Sequence, residues 1–129
     1  MYRKLPKEFK ADWLKALRSG KYCQGMVKMR SNKMGKKQFC VLGVLCDLHR
    51  KLNRSSINKW FVNKWGEFLY REKGWFLPSV VSEWAGMPDD TAEVIYGNRE
   101  EKISVLNDKG LSFKKLADLI ENHLVEEEN

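Results

Sequence analysis

The chain has 129 residues, of which 43% are hydrophobic and 32% are charged, and its formal net charge at pH 7 is +7. A chain of this size is expected to fold as one domain over residues 1–129 without a disulfide or a metal ion to stabilise it. The composition is too apolar for a disordered protein, and no apolar run approaches the roughly 20 residues of a membrane span.

The first predicted element is a helix over roughly residues 7–19. Apolar residues recur there at the spacing of one helix face, and Ser19-Gly20 is a typical helix end.

The second predicted element is a basic β-hairpin within residues 21–39. The alternation is weak up to Arg30, Ser31–Gly35 has the composition of a turn, and Lys37–Cys40 can pair back. An ordered loop is the alternative for this stretch.

A second helix is predicted over roughly residues 40–52. Because Val and Leu cover most of its sides, we expect it to lie at the centre of the core. Gly43 inside this helix costs up to about 1 kcal/mol relative to Ala. A close approach of another helix would explain the glycine.

Residues 53–78 hold seven of the fifteen aromatic side chains. Within them, Glu67–Arg71 alternates and predicts a short strand. A helix is predicted from Ser79 to about Ala85, where Gly86 ends it.

The C-terminal part contains two further helices in our prediction. Glu93–Tyr96 has an extended pattern, and Glu100-Glu101 place negative charge where a short helix through Asp108 would begin. The last helix begins after Ser112, a favourable N-cap, and carries an apolar stripe. The predicted fold class is α+β, a mainly helical single domain with a small antiparallel β-hairpin or sheet.

The sequence contains no recognisable catalytic or metal-binding pattern. Cys23, Cys40 and Cys46 lack the spacing of a zinc site, and their odd number without a signal peptide predicts reduced thiols in a cytoplasm. Neither a phosphate-binding glycine loop nor a nucleophile motif is found. The sequence therefore favours a binding protein over an enzyme, with no cofactor and no metal.

The charge is unevenly distributed along the chain. Residues 1–75 contain 19 Lys and Arg against five Asp and Glu, whereas residues 76–129 contain five against twelve. A basic N-terminal part predicts an acidic partner, although a solvated surface with compensating halves is the alternative. The predicted partner-binding residues are Lys28, Arg30, Lys33, Lys36 and Lys37.

Aromatic and basic residues alternate farther along the chain. The residues concerned are Trp60, Trp65 and Tyr70, with Lys59, Lys64 and Arg71. This arrangement would suit single-stranded nucleic acid, because bases stack on rings and phosphates attract cations. The alternative is that the rings belong to the core and the lysines only solubilise the surface.

Five motifs follow one another over most of the chain. They are Ser19–Gly25 (SGKYCQG), Phe39–Leu48 (FCVLGVLCDL), Trp75–Pro78 (WFLP), Leu106–Phe113 (LNDKGLSF) and Ala117–Glu121 (ADLIE). In this order they resemble a family of small uncharacterised proteins of bacteriophages and bacterial genomes. The resemblance implies a phage or prophage protein, made in the bacterial cytoplasm, that binds a host or defence component. It implies no particular activity.

Four polar residues inside these motifs are candidates for a ligand site. Gln24, Asp47, Asn107 and Asp108 would line one pocket for a nucleotide-like ligand, or they would cap helices and tie loops together.

Three functional hypotheses remain open from the sequence. The first is a non-enzymatic protein that binds a host or defence macromolecule through its basic face. The second is a protein that binds or sequesters a nucleotide-like ligand, and the third is binding of nucleic acid by charge and stacking. None of them involves a membrane.

Overall fold

The structure, a computed structural model, describes residues 7–87 and 92–125, which contain five helices and seven strands. The helices are α1 (Lys7–Arg18), α2 (Val41–Leu52), α3 (Ser79–Ala85), α4 (Ile103–Asp108) and α5 (Phe113–His123). The strands are β1 (Cys23–Gln24), β2 (Arg30–Lys33), β3 (Lys36–Phe39), β4 (Trp60–Val62), β5 (Phe68–Tyr70), β6 (Glu93–Tyr96) and β7 (Arg99–Lys102). No helix within these residues is long and apolar enough to cross a membrane.

The strands form three small sheets. In the first sheet β3 is central, with β2 antiparallel on one side and β1 parallel on the other. The other two are antiparallel ribbons, one of β4 with β5 and one of β6 with β7. Of the residues that the structure describes, 42% lie in helices and 23% in strands. The fold is therefore mixed α+β, and the prediction of a mainly helical domain was overstated.

The predicted basic β-hairpin is confirmed as the pair of strands β2 and β3. Lys33 pairs with Lys36 across a turn in which Met34 and Gly35 both have positive φ. Ser31, Asn32 and Lys33, which were predicted to lie in the turn, lie in β2 instead.

The prediction of a helix beginning at Glu100-Glu101 is wrong. Both residues lie in β7, and α4 begins only at Ile103. The two-residue turn Gly97-Asn98 joins β6 to β7, and Gly97 has the positive φ that such hairpins favour. Three of the four β7 side chains are exposed, so the strand shows no alternating pattern in the sequence.

One apolar cluster receives side chains from all five helices, and α2 lies at its centre, as predicted. The indole of Trp13 in α1 is fully buried and donates a hydrogen bond of 3.1 Å from Nε1 to the Val41 carbonyl at the start of α2. The helix α5 packs against both α1 and α4. Phe39 of β3 belongs to the same cluster, so the core also holds the first sheet against α2.

Gly43 does permit a close approach to α2, but the approaching segment is not a helix. A Cβ atom at this position would overlap the carbonyl oxygen of Met29. That carbonyl accepts a hydrogen bond of 3.2 Å from the Cys40 N–H, and the Met29 N–H donates one of 2.8 Å to Gly74. The chain that enters β2 thus lies directly on α2.

Candidate functional site

A cleft of about 600 Å³ lies among the first sheet, α2 and β4. Its basic residues are Lys21, Arg30, Lys37, Arg50, Lys51 and Lys59. Its aromatic residues are Tyr22, Phe39 and Trp60, and Asp47 and Cys23 complete the lining. We call this region the basic cleft.

Asp47 organises one wall of the basic cleft. Its Oδ2 accepts a hydrogen bond of 2.6 Å from the Tyr22 hydroxyl and lies 3.6 Å from Lys51 Nζ. Its Oδ1 accepts hydrogen bonds of 2.8 Å from Arg50 Nε and 3.1 Å from Trp60 Nε1. Both carboxylate oxygens are occupied, so this single buried group fixes two aromatic rings and two cations.

The protonation states at this wall follow from the same contacts. Burial favours the neutral form of Asp47, but hydrogen bonds from Arg50, Tyr22 and Trp60 outweigh it and hold the pKa of this carboxyl below its usual 3.8. Burial and the bond to Asp47 raise the pKa of Tyr22, so its hydroxyl stays protonated. The wall therefore keeps one carboxylate and one hydroxyl donor at neutral pH.

Arg30 is held among aromatic rings. Its Cζ lies 4.4 Å from the centroid of the Phe68 ring and 5.7 Å from those of Phe39 and Trp60. Its Nε is buried without a hydrogen-bond partner, and no acidic residue of the described chain forms an ion pair with it. Burial lowers the pKa of Arg30, yet a guanidinium remains charged at neutral pH.

The basic cleft has a surplus of positive charge. Arg50 and Lys51 both pair with Asp47. Lys21, Lys37 and Lys59 are exposed, and none of them is paired with an acidic group within residues 7–87 and 92–125. Six cations therefore face one carboxylate whose oxygens are already occupied.

The predicted partner-binding residues are divided between two places. Arg30 and Lys37 line the basic cleft, whereas Lys33 and Lys36 are exposed beside the turn of the hairpin. Lys28 precedes β2 and lies 3.7 Å from a carboxylate oxygen of Glu67.

Three of the four polar motif residues meet in space, away from Asp47. The Gln24 amide donates hydrogen bonds of 3.1 Å to Asn107 Oδ1 and 2.7 Å to the Leu111 carbonyl. Its Oε1 accepts a hydrogen bond of 3.0 Å from the Phe113 N–H. Gln24 thereby fastens β1 to the loop that precedes α5.

Asn107 and Asp108 use their polar atoms in the same way. Asn107 is fully buried, accepts a hydrogen bond of 3.1 Å from the Val41 N–H and donates one of 2.9 Å to the Gly25 carbonyl. Asp108 accepts a hydrogen bond of 2.7 Å from the Val27 N–H. These contacts tie loops together, which is the alternative to a ligand site that the sequence left open.

A second groove of about 710 Å³ lies beside the ribbon of β4 and β5. Phe61 lines it, and because Phe61 follows Trp60 in β4, the two side chains point to opposite faces of the ribbon. Its other apolar residues are Ile57, Leu69, Pro78 and Val80. Its charged residues, Arg71, Glu72 and Lys73, are of both signs, so it lacks the charge surplus of the basic cleft.

The three cysteines are free thiols. Cys40 and Cys46 are buried, and burial raises the pKa of Cys40 to about 11 and also raises that of Cys46. Cys23 is exposed at the basic cleft. Within the described part of the chain, no three His, Cys, Asp or Glu residues are placed to hold a metal ion.

Sequence reasoning missed several residues of the basic cleft. Tyr22, Arg50 and Lys51 were not among the predicted site residues, although they surround the predicted Asp47. The sequence did contain a signal for Tyr22, because it lies in the Ser19–Gly25 motif as Asp47 lies in the Phe39–Leu48 motif.

No curated protein and no solved structure matches the chain. The model of a family described as a domain of unknown function, DUF8296, matches residues 5–124. This agrees with the expectation of an uncharacterised family. Because the match covers most of the 129 residues, the chain belongs to this family, DUF8296.

Proposed function

We propose that the protein is a non-enzymatic binding protein that holds a phosphate-bearing ligand in the basic cleft. The observation that carries the proposal is Arg30, a cation that lies among three aromatic rings with its Nε buried and without a hydrogen-bond partner. Guanidinium and ammonium groups bind phosphate oxygens through short, charge-assisted hydrogen bonds. Lys21, Lys37 and Lys59 would add further contacts at the rim.

The other polar groups of the basic cleft are suited to holding a ligand rather than to chemistry. Asp47 has both oxygens occupied by donors, so it is poorly placed to accept a proton from a substrate. The raised pKa of Tyr22 keeps its hydroxyl from acting as a base. These features support binding as the role of the site.

Calorimetric titration with inorganic tripolyphosphate tests the proposal. We expect binding that weakens as NaCl rises from about 50 to about 200 mM, because exposed charges are screened. Arg30→Gln and Lys59→Gln should each weaken binding by about tenfold, the loss of one charge-assisted contact. Lys114→Gln, the same change of charge on exposed α5, should leave binding unchanged. Absence of binding at low salt, or equal losses in all three variants, would refute the proposal.

A second candidate is an acidic macromolecular partner on the end of the basic hairpin. Lys33 and Lys36 are exposed there, and Met34 between them is 95% exposed. The resemblance to phage proteins supports this setting, with a host or defence protein of the bacterial cytoplasm as the partner. Exposed charges of one sign accelerate and orient such an encounter.

The hairpin hypothesis is tested by comparing proteins that the purified chain captures from a bacterial lysate. A true partner should be captured by the wild type and lost with the double variant Lys33→Glu and Lys36→Glu. Lys114→Glu on α5 is the matched control, and it should retain the partner. Retention of every captured protein by the double variant would reject the hairpin as the docking face.

A further inference from the structure

We infer that the ligand of the basic cleft is a nucleotide, with its base against the rings of Tyr22 and Trp60 and its phosphates on Arg30 and the rim lysines. The inference rests on the proposed function and names the class of ligand. Four observations lead to it: fixed aromatic rings, cations beside them, the common position of Arg30, Lys37 and Phe39 on one sheet face, and the size of the cleft.

The aromatic rings of the basic cleft are fixed before any ligand binds. Tyr22 and Trp60 are half-buried, and their polar ends are both hydrogen-bonded to Asp47. Phe39 is buried against both, with ring centroids 5.1 Å from Tyr22 and 6.0 Å from Trp60. Because these rings have already lost their rotational freedom, stacking a base on them costs little further ordering.

The cations lie next to the rings and not on a separate surface. Arg30 is paired with Phe39 across β2 and β3, so the two side chains are direct neighbours on one face of the first sheet. Lys37 is two residues from Phe39 in β3 and shares that face. Lys59 lines the same cleft as Trp60. One ligand with an aromatic part and an anionic part can therefore contact both.

The size and charge of the basic cleft favour a single nucleotide. Its volume of about 600 Å³ lies within the usual range of small-ligand pockets. Six cations against one occupied carboxylate suit more than one phosphate group. Inorganic phosphate alone would use the cations of the cleft and not its rings. Asp47 does not repel the ligand strongly, because Arg50 and Lys51 already neutralise it.

Titration of the full chain with ATP, GTP, CTP and UTP, beside tripolyphosphate, distinguishes the base from the phosphates. At least one nucleotide should bind about tenfold more tightly than tripolyphosphate, the gain from one stacked base. Equal affinity for nucleotides and tripolyphosphate would overturn the nucleotide and leave phosphate binding standing. No binding of either would overturn both. If an oligothymidine of eight nucleotides bound tenfold more tightly than every mononucleotide, the inferred ligand would be single-stranded nucleic acid and not a mononucleotide.

Substitution of the stacking ring provides a second criterion. Trp60→Leu should lower nucleotide affinity to that of tripolyphosphate and leave tripolyphosphate binding within twofold. Trp60→Phe keeps a ring and should retain most of the preference. Trp75→Leu removes an exposed Trp that does not line the cleft and should change neither affinity. If Trp60→Phe and Trp60→Leu lowered the affinities for nucleotide and for tripolyphosphate to the same degree, the result would contradict stacking.

The reactivity of the Cys23 thiol can be measured on the wild-type protein. This test of the inference therefore does not require that Trp60→Leu folds. Ellman's reagent should react readily with one thiol per chain, because Cys40 and Cys46 are buried. A saturating nucleotide should slow this reaction at least fivefold, since Cys23 lines the basic cleft. An unchanged rate at saturation would place the nucleotide elsewhere and overturn the inference.

Discussion

The side-chain amide of Gln24 donates a hydrogen bond of 3.1 Å to Asn107, which lies 83 residues farther along the chain. Asn107 also accepts a hydrogen bond from the Val41 N–H and donates one to the Gly25 carbonyl. One fully buried amide thus joins β1, the start of α2 and α4. Tyr22, which lines the basic cleft, immediately precedes β1. The hydrogen bonds of Asn107 therefore also hold one side of the basic cleft in place.

Asn107→Leu should lower the free energy of unfolding by about 3 kcal/mol or more. The two side chains are similar in size, but Leu leaves the buried Val41 N–H and Gly25 carbonyl without partners, at about 1–3 kcal/mol each. Urea unfolding followed by circular dichroism measures the change. Asn122→Leu on the exposed face of α5 should stay within about 0.5 kcal/mol of the wild type. Comparable losses in both variants would contradict the structural role of Asn107.

Gly43→Ala should be among the most damaging substitutions of a glycine. The added methyl group would overlap the Met29 carbonyl oxygen, and Met29 is held in place by bonds to Cys40 and Gly74. We expect a loss of about 3 kcal/mol or more, at the upper end for overpacking. Gly35→Ala is the control: it has open space but a positive φ, so it should cost only about 1–2 kcal/mol. Thermal unfolding of the two variants under one set of conditions compares them.

The sequence predicted the long helices well because their stability depends on their own apolar faces. The ends of α1 and α2 and the start of α5 lie within one residue of the predicted ones. By contrast, β4 was missed and β7 was mistaken for part of a helix. Both are strands of three or four residues with mostly exposed side chains, so partner pairing and not an apolar pattern determines them.

The site was predicted in part, for a similar reason. Asp47 was identified as a polar motif residue, and Trp60 and Lys59 as neighbours on the chain, but nothing in the spacing shows that Tyr22 and Trp60 meet at one carboxylate. Sequence likewise could not separate Asp47 from the Gln24 cluster. Long-range contacts of this kind are set by how β1 and β4 pack around α2.

Glu72→Gly should stabilise the protein by up to about 1 kcal/mol, because relief of left-handed strain of about 1–2 kcal/mol exceeds the extra chain entropy of about 0.5–1 kcal/mol that glycine loses on folding. Arg71 and Glu72 form a two-residue turn in which both have positive φ, 49° and 73°, and Tyr70 and Lys73 exchange backbone hydrogen bonds across it. Such turns favour Gly or Asn, because L-residues with a Cβ are strained there. The rise in the urea midpoint is the measurement. Glu83→Gly, which removes the same charge inside α3, should lower it.

His49 makes stability depend on pH. It is buried, and its Nδ1 lies 2.7 Å from the Tyr70 hydroxyl. Burial, together with the positive charge of Arg71, lowers the pKa of His49 below its usual 6.5. The unfolded chain therefore takes up a proton at this residue more readily than the folded chain does. The contribution of the neutral His49 to the free energy of unfolding is fully present above pH 6.5. It is lost as the pH falls from there toward the lowered pKa.

Comparison of two histidine variants isolates this contribution. Thermal unfolding of the wild type should shift to lower temperature between about pH 7 and pH 5, through the linkage of folding to proton uptake. His49→Asn keeps a polar group near the Nδ1 position but cannot titrate, so its shift should be smaller, whatever its absolute stability. His123→Asn alters the exposed histidine of α5 and should retain the shift of the wild type. An equal shift in wild type and His49→Asn would assign the acid sensitivity to carboxylates instead.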